Sequence, residues 1–157
     1  MTRRVKPAPE SQGYPLPASW ITRGRLVAKK NHRKLAVIGG HARMLPAREW
    51  EAWARVLGMA ARCSLGGTYR GSHCGFSPAL TTDPVHVLAL YYPPDRRWML
   101  DLSGALEAIG DALELAGVIA NDRQIRSWDG SRIMDPDPDG MGYLSVTVHR
   151  YLAEEQA

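Results

Sequence analysis

No run in this chain approaches the ~20 consecutive apolar residues of a membrane-spanning helix, so a membrane partner is not expected. The first residues carry Arg3, Arg4 and Lys6 and then several prolines, without the apolar core of a signal peptide. The expectation is a cytoplasmic protein. Cysteine is nearly missing: Cys63 and Cys74 are too few for a disulfide framework and read as free thiols. No internal repeat is seen, which excludes the solenoid and propeller classes. Acidic residues are scarce in one half. Residues 1–70 hold 14 Lys or Arg against 3 Asp or Glu, whereas residues 71–157 hold 6 against 13.

What is present is ordinary for a folded domain: 157 residues, 45% hydrophobic and 23% charged, with a net charge of +4. That length suits one domain with a real core. Residues 1–19, rich in Pro, Ser and charge, read as a flexible tail, 20–152 as the domain and 153–157 as a short C-terminal tail. Trp20 to Val27 has a strand pattern. Leu35–Ile38, Gly39-Gly40 and His41–Leu45 predict a hairpin, because paired glycines supply the positive φ angles of a tight turn. Pro46 suits the first turn of a helix running to about Arg62, with Trp50, Trp53 and Leu57 on one face and Glu51 placed to pair with Arg55.

Residues 64–83 are loop-like, heavy in Gly, Ser and Thr. Val85 to Tyr92 is apolar on both faces and reads as a central strand, ended by Pro93-Pro94. Gln124 to Trp128 predicts a short strand. Tyr143 to Tyr151 predicts a long one, with Leu144, Val146 and Val148 inward. The order β-β-β-α-β-α-β-β implies a small α+β domain, a mixed sheet packed by two helices.

The densest chemistry lies in 101–125, D-L-S-G-A-L-E-A-I-G-D-A-L-E-L-A-G-V-I-A-N-D-R-Q-I. Leu102, Leu106, Ile109 and Leu113 have helical spacing, Ser103 is a good N-cap and Gly117 a good stop. Asp101 and Asp122 therefore flank a helix of about 13 residues, roughly 20 Å long. They can converge only if the chain runs back as a strand beside the one that delivers Asp101. Aspartates meeting at a strand end are a common way to hold Mg²⁺.

The pattern D-L-x-x-(x)6-D-A-L-(x)2-A-G-(x)4-D-x-Q-I resembles the RusA-type crossover-junction endonucleases, Holliday junction resolvases common in phages and prophages. The resemblance is clear over residues 93–150. It implies a Mg²⁺ (or Mn²⁺) dependent homodimer that cuts branched DNA. Its metal-site aspartates fall on Asp101, position 103 and Asp122, but position 103 is Ser103. The family's lysine falls on Glu107 and its asparagine on Gly104. Glu107, one turn beyond Ser103, is expected to supply the third carboxylate and to join Asp101 and Asp122 as catalytic and metal-binding residues. Asp111 matches a family position too, with a structural or dimer-contact role expected.

The cluster Lys29, Lys30, Arg33 and Lys34 is read as DNA-binding, and Arg96, Arg97 and Arg123 flank the two aspartates as phosphate-positioning cations. Two other constellations are set aside. Cys63, His73 and Cys74 have the wrong spacing for a zinc ribbon. Asp135, Asp137, Asp139 and Gly140 look like a calcium loop, but prolines at 136 and 138 point to a stiff turn. A non-catalytic DNA-binding relative is the alternative function, supported by Ser103 and Glu107. A protein-interaction module with an acidic interface is the third.

Overall fold

The computed structural model describes residues 16–28, 34–45, 48–65, 76 and 79–153, with the backbone alone for 34–36 and 43–45. Its centre is β4 (Val85–Tyr92), whose alternate residues Val85, Val87, Ala89 and Tyr91 are buried on one face. β7 (Tyr143–Arg150) runs antiparallel to β4, and β1 (Ala18–Arg23) antiparallel to β7. The register lines up rungs of inward residues. Ala18, Val148 and Val87 form one, Trp20, Val146 and Ala89 the next, and Thr22, Leu144 and Tyr91 the third. Placing Trp20 two strands from the smallest side chain of its rung, Ala89, leaves room for the indole. Leu144, Val146 and Val148 are fully buried, as their alternation predicted.

Helix α1 (Arg48–Ser64) and helix α2 (Leu102–Leu115) share one core with this sheet face. α1 buries Trp50, Trp53, Ala54, Leu57, Gly58 and Ala61, a stripe with the 3.6-residue period. Glu49 and Glu51 in its first turn and Arg62 in its last match the helix dipole. The ion pair found there joins Arg25 to Glu49 at 3.8 Å rather than Glu51 to Arg55. Arg25 also lies over the Trp98 ring, 3.9 Å from its centroid.

The opposite edge of β4 is parallel and split. β5 (Ile125–Ser127) pairs with its beginning and β6 (Arg132–Ile133) with its end. Between them the chain leaves the sheet in the turn Asp129-Gly130. The Ser131 hydroxyl fills the gap, accepting from the Ala89 amide at 2.9 Å and donating to the Val87 carbonyl at 3.2 Å. A side chain thus replaces a stretch of missing strand.

The mixed five-stranded sheet and two helices are the α+β architecture expected. Several boundaries differ. β1 starts at Ala18, inside the expected tail, and stops at Arg23 instead of Val27. Gly24, at φ +102°, turns the chain away, with its amide on the Gly142 carbonyl at 2.8 Å. Leu26 to Ala28 are buried without joining a ladder, and the Leu26 amide donates to the Tyr91 hydroxyl. Burial alone gave this segment its strand pattern. Pro46 lies outside the described residues, as do Lys29, Lys30, Arg33, His73 and Cys74. Cys63 is exposed and free.

β2 (Lys34–Ile38) and β3 (His41–Leu45) form the expected hairpin as a separate two-stranded sheet. Gly39 and Gly40 have φ of +59° and +79°, the signature of a type I′ turn. Residues 135–142 fold round Asp137, a buried carboxylate that accepts from the amides of Asp139 and Gly142. That is the stiff turn the prolines implied. Among the described residues no helix is long and apolar enough to cross a membrane.

Candidate functional site

α2 begins two residues earlier than its sequence suggested, and Asp101, not Ser103, is the N-cap. The Asp101 carboxylate accepts from the Gly104 amide at 2.9 Å and from the Ser103 hydroxyl at 2.8 Å. Both residues are capping types, and the carboxylate wins because its Oδ2 can take both donors at once. Gly104 makes room for this: a Cβ there would sit 2.9 Å from an Asp101 carboxylate oxygen.

The buried side of α2 is also rotated from the expected stripe. Ala105, Ala108, Ile109, Ala112 and Leu113 are buried, whereas Leu102 is 42% exposed. Three alanines let the helix lie close to its neighbours, which turns Leu106 and the polar face toward a groove on the β5 side. Ser103, Leu106, Glu107, Gly110 and Asp111 of α2 line this groove of about 350 Å³ together with Asp122, Ile125 and Trp128.

Asp122 arrives from the other end of the helix. Gly117, at φ +69°, closes α2 in a Schellman motif, its amide on the Glu114 carbonyl and the Val118 amide on the Leu113 carbonyl, both 3.0 Å. The chain then makes a short 3₁₀ turn (Asp122–Gln124) capped by Asn121. The Asp122 amide donates to a Glu114 carboxylate oxygen at 3.0 Å. Gln124 holds the turn in place. Its Oε1 accepts from the Ala120 and Asn121 amides, and its Nε2 donates to the Thr81 and Asp83 carbonyls. All four hydrogen-bonding positions of this amide are used.

β5 does run back beside β4, as convergence required, but parallel to it. The chain leaves β4 toward Asp101 at one end of the sheet and enters β5 from Asp122 at the other. Ten residues of α2 separate Gly104, which Asp101 caps, from Glu114, which Asp122 touches: about 15 Å of helix. The structure therefore brings Glu107 and Asp122 to one groove and leaves Asp101 outside its lining. Asp111, expected to be structural, joins them there. The signal for this was available in part, since Ser103, Glu107 and Asp111 are spaced four apart on one helix face. Ile125 and Trp128 could not be assigned to the groove without knowing the side of α2 on which β5 lies.

Cations stand at both ends. Arg96 and Arg97 occupy an exposed 3₁₀ turn (Arg96–Trp98) ahead of Asp101, and Arg123 is exposed beside Asp122. Arg97 is engaged with Asp95 at 3.2 Å, and that hydrogen bond holds the Asp95 carboxyl below its ordinary range. Lys34 opens β2.

The groove's donors are all oxygens, the set a hard divalent cation prefers. Among the described residues no three His, Cys, Asp or Glu are clustered tightly enough to form an all-protein cage. Mg²⁺ ordinarily takes one or two carboxylates and completes its shell with water and phosphate, so the set fits that ion. Compared with known proteins, the chain matches no family model and no curated sequence.

Proposed function

We propose that this chain is a Mg²⁺-dependent, structure-selective DNA endonuclease of the RusA type, cutting phosphodiesters in branched DNA in the cytoplasm. The observation that carries the proposal is the groove itself. Glu107 and Asp111 from one helix and Asp122 from a separate turn line it, with arginines beyond each end. One or two of the carboxylates of Glu107, Asp111 and Asp122 would hold the cation, with water and phosphate completing its shell, and Mn²⁺ would suit the same oxygens. The bound ion supplies positive charge for the phosphoryl oxygens as the bond to the leaving oxygen breaks. Half-buried Glu107 and Asp111 stand where a carboxylate can take a proton from an attacking water. Arg123 reaches the same phosphate from the rim. Lys29, Lys30, Arg33 and Lys34 add backbone affinity that falls steeply with salt. A homodimer would match the two-fold symmetry of a four-way junction.

A second reading, a DNA-binding relative without cleavage, is favoured by one observation: Asp101 spends its carboxylate capping its own helix. A labelled synthetic four-way junction separates the two. Paired nicks in Mg²⁺ that disappear in Glu107→Gln and Asp122→Asn support the endonuclease. Salt-sensitive binding without nicks in Mg²⁺ or Mn²⁺ supports the binder, and no binding at all refutes both.

A further inference from the structure

The β2–β3 hairpin takes no part in the five-stranded sheet. A two-stranded ribbon is marginally stable by itself in water, so one that stands apart needs a use. Its tip is unusual in two respects. Val37 is 73% exposed and Ile38 48% exposed, although neighbours on a strand face opposite ways. Both faces of the ribbon are therefore bare at the end. Among the described residues, nothing lies within 4 Å of where a Cβ would stand on either turn glycine.

The stretch of sequence that contains it carries charge of one sign. From residue 11 to residue 48 the chain contains no Asp or Glu, while Arg23, Arg25, Lys29, Lys30, Arg33, Lys34, Arg43 and Arg48 all fall in that stretch. An apolar point on a wholly cationic segment complements a polyanion with apolar planes inside it. A protein partner fits less well. A specific protein interface buries about 800 Å² per partner, more than two side chains on opposite faces provide.

We propose that the β2–β3 ribbon is a nucleic-acid wedge, with Val37 and Ile38 entering between base pairs where a duplex is interrupted by a branch. The inference rests on the DNA-binding reading above and adds to it a contact remote from the carboxylate groove. A two-stranded ribbon fits a major groove about 12 Å wide, and at a branch its tip can reach an open base step. Two paired strands lie about 4.8 Å apart, and five residues extend about 17 Å. One apolar side chain on each face lets the tip pack against the base pairs above and below, the arrangement by which apolar wedges unstack a step. The cations hold the flanking phosphates and set no sequence preference.

The test uses the full chain with a fluorescein-labelled four-way junction, a matched linear duplex, and 2-aminopurine placed at the branch. The variants are Val37→Ser with Ile38→Ser, and Val37→Leu with Ile38→Leu, each checked for an unchanged melting curve. The serine pair is expected to bind the junction about tenfold more weakly and to lose the brightening of 2-aminopurine. The slope of log Kd against log salt should stay the same, because no charge has changed. The leucine pair should restore both signals. Native junction affinity and brightening in the serine pair would overturn the wedge and leave the endonuclease reading intact. A serine pair that alters the sedimentation of the protein alone, with junction affinity unchanged, would overturn it too and make the tip a contact between copies. A native chain with no salt-dependent DNA affinity would refute the functional reading itself, and the wedge with it.

Discussion

The two ends of α2 carry the same residue type and put it to opposite uses. At the start, the Asp101 carboxylate is turned inward on the helix, accepting from Gly104 and Ser103. Past the end, it is the backbone amide of Asp122 that is tied down, by Glu114, and Asp122 lines the groove. A helix start presents amide donors that attract an aspartate's oxygens. A helix end presents carbonyls and gives a carboxylate nothing to cap. An aspartate just after a helix is therefore the better placed of the two to meet a ligand.

The sharpest way to break this contrast is Gly117→Ala. A Cβ there would come 2.1 Å from the Phe76 carbonyl oxygen, and the residue needs φ +69°. Both effects act on backbone, and a loss of about 3 kcal/mol in urea unfolding is expected. Gln124→Ala should rank next, at about 2 kcal/mol, since it strands the Ala120 and Asn121 amides and frees the turn that delivers Asp122. Divalent-cation-dependent cleavage should fall with it. Asp101→Ala should cost about 1 kcal/mol as a lost cap, and Asp101→Asn less, because asparagine caps nearly as well. Cleavage by Asp101→Asn should persist at near-native rate if Asp101 serves the helix alone; a rate loss without a stability loss would dissolve the contrast. Asp122→Asn sharpens it from the other side, with unfolding changed by less than about 0.5 kcal/mol and cation-dependent cleavage abolished.

How much of this could be read beforehand varies along the chain for physical reasons. Gly117 and the strand Tyr143–Arg150 were legible because one positive-φ stop and one strict alternation each fix a local structure. The start of α2 was not, since Asp101 and Ser103 are both good caps and the choice depends on which oxygen reaches the amide. The burial stripe was read in part: Ile109 and Leu113 are buried and Leu106 packs on the core, but Leu102 is exposed, and close packing added Ala105, Ala108 and Ala112, which sequence patterns weight less than leucine. The return of β5 beside β4 was foreseen, but not that it runs parallel and so places Asp122 at the end opposite Asp101. The meeting of Glu107, Asp111 and Asp122 along one groove depends on that register. β6 escaped because two residues carry no period.

One small device has a consequence for the molecule's company. Ser131 occupies the stretch of β4 between β5 and β6, where the Ala89 amide and Val87 carbonyl would otherwise face outward. Such a gap is a docking slot for a foreign strand. A hydroxyl, being donor and acceptor together, closes it as a backbone would, though held by one rotatable bond. Ala89 should exchange its amide hydrogen slowly in the native chain. Removing the hydroxyl would turn a private seam of the sheet into an adhesive edge.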